Sequence, residues 1–141
     1  MMCALHILVV EDADEDFATV LDAARRAGVP HEIRRATSGD ECLRLLHASG
    51  PRHDALPGLV LLDLNTPRGD GRDALREIKL DDKLRVLPIV VLSTSANPRD
   101  LRFCYASGAN AYHVKPVQYP DHLQILEQIF GYWLKSAVLP T

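Results

Sequence analysis

Residues 6 to 12 read His6-Ile7-Leu8-Val9-Val10-Glu11-Asp12, and residues 59 to 63 read Leu59-Val60-Leu61-Leu62-Asp63. Each is a short aliphatic run that stops on acid. Runs of this length and make-up fit strands buried on both faces, as in a parallel sheet. Glu11, Asp12 and Asp63 are thereby collected where two buried strands end. Negative charge gathered on one rim of a sheet calls for a positive partner, and a divalent cation is the obvious candidate.

Working outward from these runs, further strand signals lie at Ile33 to Ala36, Pro88 to Leu92 and Ala111 to Val114, with segments of helical period between them. Phe17, Val20, Leu21 and Ala24 follow the i, i+3, i+4, i+7 spacing of one helix face, and Gly28-Val29-Pro30 ends that stretch. Ser38 with Glu41 three residues on reads as a capping box, opening a helix that should stop at Gly50-Pro51. Asn97-Pro98 supplies an N-cap and first-turn proline for a fourth helix, closed by Gly108, and a last helix is expected from Pro120 to Lys135. Five strands separated by helices imply an α/β fold with a five-stranded parallel sheet. Right-handed crossovers leave few topologies, and in such doubly wound sheets ligands bind beyond the carboxyl ends of the strands.

The chain has 141 residues, 47% hydrophobic and 25% charged, which fits one domain with a sizeable core and no separate output module. A formal charge of −3 and the lack of any run of basic residues give no pull toward nucleic acid. Arg25-Arg26 and Arg34-Arg35 read as solvated surface. Cys3, Cys42 and Cys104 are odd in number and far apart, arguing against a disulfide framework or a zinc site and for a reduced, cytoplasmic setting. No signal peptide opens the chain and no segment is long enough to span a bilayer.

Taken in order, Val9-Val10-Glu11-Asp12, Leu61-Leu62-Asp63-Leu64-Asn65 with Pro67 and Gly71, Val91-Leu92-Ser93, and Lys115-Pro116 make the chain resemble the receiver domain of two-component response regulators over its whole length. The resemblance implies the CheY-like strand order 2-1-3-4-5. It also implies roles at matching positions. Asp63 would accept a phosphoryl group from a sensor histidine kinase. Asp12, Asp63 and the backbone carbonyl of Asn65 would ligate Mg2+, with Glu11 acting through water. Lys115 and Ser93 would hold phosphoryl oxygens, and Tyr112 would be the switch aromatic that follows Ser93. Lys115-Pro116 is a candidate cis bond, with an ordinary trans proline as the alternative. Asn65 and Ser95 would flank the path of hydrolytic water and tune the acyl-phosphate lifetime.

Seven of the eight aromatic side chains lie between Phe103 and Trp133, on the fourth helix, fifth strand and last helix or the loop joining them, so that face should be apolar enough for a homodimer. The Tyr132-Trp133-Leu134 ending, with a C-terminal extension over about 132–141, and the stretch Leu92-Ser93-Thr94-Ser95 look like the single-domain receivers that partner bacterial phytochromes. A phosphorelay or scaffold receiver for another histidine kinase is the alternative within the family. A phosphatase using an aspartate nucleophile is the rival outside it, but such enzymes want a second acid two residues on, where this chain has Asn65, whose amide cannot act as general acid.

Overall fold

The computed structural model describes residues 5–48, 56–67 and 70–140. Among them, strands and helices alternate as β1 (His6–Val10), α1 (Asp14–Arg26), β2 (Glu32–Ala36), α2 (Gly39–Ala48), β3 (Leu59–Leu62), α3 (Gly71–Leu80), β4 (Ile89–Ser93), α4 (Pro98–Ala106), β5 (Ala111–Val114) and α5 (Tyr119–Phe130). The strands form one parallel sheet in the order β2-β1-β3-β4-β5.

Every residue of β1, β3 and β4 is buried, because helices cover both faces of the sheet. Side-chain alternation divides these strands between two cores. Ile7, Val9, Leu59, Leu61, Val90 and Leu92 face α1 and α5, meeting Val20, Ala23, Leu126, Ile129 and Phe130. Leu8, Val10, Val60, Leu62, Ile89 and Val91 face the opposite layer, meeting Cys42, Leu46, Leu75, Ile78 and Cys104. Burying each of these larger side chains contributes about 1.5–3 kcal/mol, enough to hold the central strand ends rigidly in register.

The caps expected from sequence form. The Ser38 hydroxyl accepts from the Glu41 N–H at 3.1 Å, Glu41 reaches back to the Thr37 N–H at 2.8 Å, and Asn97 accepts from the Arg99 N–H at 2.9 Å. Gly28 and Gly108 end α1 and α4 with positive φ. The expected stop at Gly50-Pro51 lies outside the described residues.

The last helix differs from expectation. Regular α-helix ends at Phe130, and Gly131–Ser136 continues as a wider π-helical turn. Lys135 Nζ donates to the Ala27 carbonyl at 2.6 Å, and Trp133 and Leu134 pack onto the α1/α5 core, so part of the surplus apolar surface is spent within the chain. No helix among the described residues is long and apolar enough to cross a membrane.

Candidate functional site at the carboxyl rim of the sheet

Parallel pairing brings the ends of β1, β3, β4 and β5 to one rim. Val10 pairs with Leu62, Leu62 with Val91, and Ser93 with Val114, so the residues that follow these pairs emerge together. The Asp63 N–H still bonds to the Val10 carbonyl at 3.1 Å, and the Lys115 N–H to the Ser93 carbonyl at 2.7 Å. Asp63 and Lys115 are thus both held by ladder bonds one residue past the strands.

Glu11, Asp12 and Asp63 each offer a carboxylate oxygen, and these atoms lie within 4.8 Å of one another. Glu11 and Asp63 are buried, while Asp12 is exposed on the side of an open cleft of about 430 Å3 that Asn65, Thr66 and Asp70 also line. Lys115 is only 7% exposed, and its Nζ donates to Glu11 Oε1 at 2.7 Å, Asp16 Oδ2 at 2.9 Å and Asp63 Oδ2 at 3.4 Å. Asp63 Oδ1 accepts from the Asn65 N–H at 3.1 Å, and Glu11 Oε2 from the Ala13 N–H at 3.2 Å.

The electrostatics follow from this crowding. Burial pushes the Glu11 carboxyl up to about 7, against the opposing pull of its hydrogen bond from Lys115. Burial alone would lower the lysine, but hydrogen bonds to Glu11 and Asp16 and the charge of Asp63 hold it well above its usual range. One ammonium faces four carboxylates, so the site retains anionic capacity for a further cation. An all-oxygen donor set of this kind fits a hard divalent ion, with Glu11, already committed to Lys115 and the Ala13 amide, suited to act through water.

Gly71 fixes the loop after Asp63. Its N–H donates to the Leu64 carbonyl at 3.0 Å, and a Cβ there would overlap the Asp63 carbonyl oxygen and approach Leu64 Cα at 2.7 Å. Only glycine lets α3 start this close to the acidic cluster.

Ser93 is fully buried on the neighbouring strand, its Oγ accepting from the Ser95 N–H at 3.2 Å. The Tyr112 hydroxyl donates to the Ser95 carbonyl at 2.8 Å, linking β5 to the loop that follows Ser93. The Lys115–Pro116 peptide is trans, since no cis bond occurs among the described residues, and the cis candidate is corrected. Lys115 reaches its carboxylates from a backbone still hydrogen-bonded to β4, and the ordinary trans preference of about 0.5–1 kcal/mol stands.

Residues 7–127 match the response regulator receiver domain family. The chain belongs to that family. The receiver is 38% identical over 130 residues to the probable methanogenesis regulatory protein FilR2 of Methanothrix harundinacea, covering 91% of this chain and 83% of that protein. It is 34% identical over 135 residues to response regulator Rcp1 of Synechocystis sp., covering 95% and 92%. The crystal structure of Mn2+-bound Rcp1 gives a TM-score of 0.90 at 33% identity, covering 97% of this chain and 99% of that one. The phosphorylated cyanobacterial phytochrome response regulator RcpA gives a TM-score of 0.90 at 38% identity, covering 98% and 99%.

Two residues of this receiver's site escaped the sequence reading. Asp16 is a third partner of Lys115 from the first turn of α1. Arg35, taken as solvated surface, has a side chain only 24% exposed: it donates to the Glu11 carbonyl at 2.9 Å and the Asp12 carbonyl at 3.1 Å, pairs with Asp14 at 2.8 Å and stacks over Phe17. The signal that locates it is register, since Arg35 pairs with Val9 just before the acidic turn.

Proposed function

We propose that this receiver accepts a phosphoryl group on Asp63 from a phosphohistidine of a sensor histidine kinase, a phytochrome-type kinase in the first instance, and relays the change to its α4-β5-α5 face. The observation that carries the reading is Lys115 Nζ shared among Glu11, Asp16 and Asp63, with Asp12 completing the acidic cluster. An Asp63 carboxylate oxygen attacks phosphorus as the phosphorus–nitrogen bond to the imidazole breaks, and the electron pair stays with the departing ring. Negative charge rises on the transferring oxygens, so positioning and fixed positive charge do most of the work. In this reading Lys115 neutralises one of these oxygens and the Ser93 hydroxyl donates to another. Magnesium, held by Asp12, Asp63 and the Asn65 carbonyl with Glu11 through water, supplies the remaining positive charge when bound.

On phosphorylation the Ser93 loop is drawn inward, and Tyr112 follows through its bond to Ser95. Exposed Tyr105, Val114 and Tyr132 support a homodimer through the responding face.

Incubation with acetyl phosphate and magnesium should add one phosphoryl group by intact mass, none in Asp63→Asn, and none after chelation of the metal. Absence of labelling in the unaltered protein would remove the reading. Phosphotransfer from an autophosphorylated phytochrome kinase should outpace that from unrelated histidine kinases. The likeness to FilR2 favours a second reading, a receiver serving a different kinase, and a donor profile without that preference would select it.

A further inference from the structure

We propose that Arg72 and Asp100 are a positioning pair that keeps the Ser95 hydroxyl committed away from the phosphoacceptor, and thereby prolongs the life of the acyl phosphate. The inference rests on Asp63 being the phosphorylated residue.

The pair bridges two loops that leave adjacent strands at the functional rim. Asn65 and Asp70 belong to the connection after β3, Ser95 to the connection after β4. Arg72, in the first turn of α3, places Nε and Nη2 each 2.9 Å from Asp100 Oδ1 in the first turn of α4. Its Nη1 donates to Asp70 Oδ1 at 3.1 Å and lies 3.5 Å from Asn65 Oδ1, the loosest contact of the set. The other Asp100 oxygen, Oδ2, accepts from the Ser95 hydroxyl at 2.6 Å. Hydrogen bonds from Ser95 and Arg72 hold the Asp100 carboxyl below the usual carboxylate range, so it remains a charged acceptor at neutral pH.

What matters is how the Ser95 hydroxyl is used up. Its single proton goes to Asp100, and its oxygen accepts from the Asn97 N–H at 3.2 Å. The Ser95 N–H goes to Ser93 Oγ and its carbonyl accepts from Tyr112, so backbone and side chain are both fixed. In hydrolysis, water oxygen attacks phosphorus while the phosphorus–oxygen bond to Asp63 breaks. The carboxylate leaves with the bonding pair, and the water protons pass to the phosphate product and to solvent. A polar group beside the phosphoryl face can orient that water. With its donor committed to Asp100, the Ser95 hydroxyl cannot. Freed from Asp100, it turns inward and assists.

The test is the decay of phosphate on protein labelled with acetyl phosphate and then freed of donor, in magnesium. Asp100→Ala should shorten the lifetime on the order of three- to tenfold. Asp100→Asn, which keeps an acceptor for Ser95 but loses the ion pair, and Arg72→Lys, which keeps charge but not the fork, should fall between. In a Ser95→Ala background, Asp100→Ala should have no further effect, which a general loosening of the fold would not produce. Thermal melts confirm that each variant is folded. An unchanged or longer lifetime in Asp100→Ala, or equal acceleration in the Ser95→Ala background, would overturn the inference. Failure of the unaltered protein to label at all would instead strike the phosphoacceptor reading.

Discussion

Two partly or fully buried lysines at opposite rims of one sheet do different things. Lys79, at the amino end, donates from Nζ to the carbonyls of Arg85 and Leu87 at 3.0 and 2.7 Å and to Asn110 Oδ1 at 3.2 Å. All its acceptors are neutral, burial lowers its pKa, and it works as a staple between α3 and the loops bordering β4. Lys115, at the carboxyl end, is surrounded by carboxylates that raise its pKa. The acceptors therefore decide the role. Neutral carbonyls make a buried lysine a tie, whereas carboxylates hold it charged beside the acidic cluster, as the proposed phosphoacceptor chemistry needs.

Exchanging each lysine for a residue of similar length tests that contrast most severely. Lys115→Met should slow phosphorylation by acetyl phosphate by about 10²–10³-fold, the usual cost of removing one group that stabilises transition-state charge. Lys79→Met should leave labelling unchanged but lower unfolding free energy by about 1–3 kcal/mol, as its acceptors lose their donor. Similar losses of labelling in both variants would erase the distinction between the rims.

Arg35 sharpens the picture, because it acts on the acidic rim without being one of its acids. Arg35→Met frees the backbone carbonyls of Glu11 and Asp12, and magnesium affinity by calorimetric titration should fall about 10- to 100-fold, the usual effect of losing a group that orients ligands. An unchanged affinity would show that the acidic turn holds its shape without it.

The smallest effect concerns pH. His122 is buried, its Nε2 has no hydrogen-bond partner among the described residues, and burial lowers its pKa below the ordinary 6.5. A histidine depressed in the folded state gives a stability contribution that is present above the unfolded value and lost as pH falls through the folded one. Glu11, raised from 4.5 to about 7, runs the other way, favouring the fold at low pH and losing that contribution as pH rises toward 7. Replacing the imidazole isolates the first trend. His122→Phe should gain melting temperature relative to the unaltered chain on going from about pH 7.5 to about pH 5.5, and a difference independent of pH would contradict it.

How much of this was legible beforehand divides along physical lines. The central strands β1, β3 and β4 are buried on both faces, so their aliphatic runs were direct signals, and the acids ending them located the rim. Caps at Ser38 and Asn97 depend on neighbours in sequence and were equally readable. Asp16, Arg35, Arg72 and Asp100 were not, because a charged residue on a helix or edge strand looks like solvated surface until the fold brings its partner within reach. Arg72 and Asp100 are 28 residues apart, and only the packing of α3 beside α4 joins them. The change of helical type at Gly131 also left no trace in the apolar pattern, which continues through Tyr132, Trp133 and Leu134.

The most direct test of the acidic rim as a phosphoacceptor is to label the protein with acetyl phosphate and magnesium, reduce the acyl phosphate with borohydride, and map the modified residue by peptide mass. The account predicts reduction at position 63 alone. Modification at another residue, or none, would contradict it.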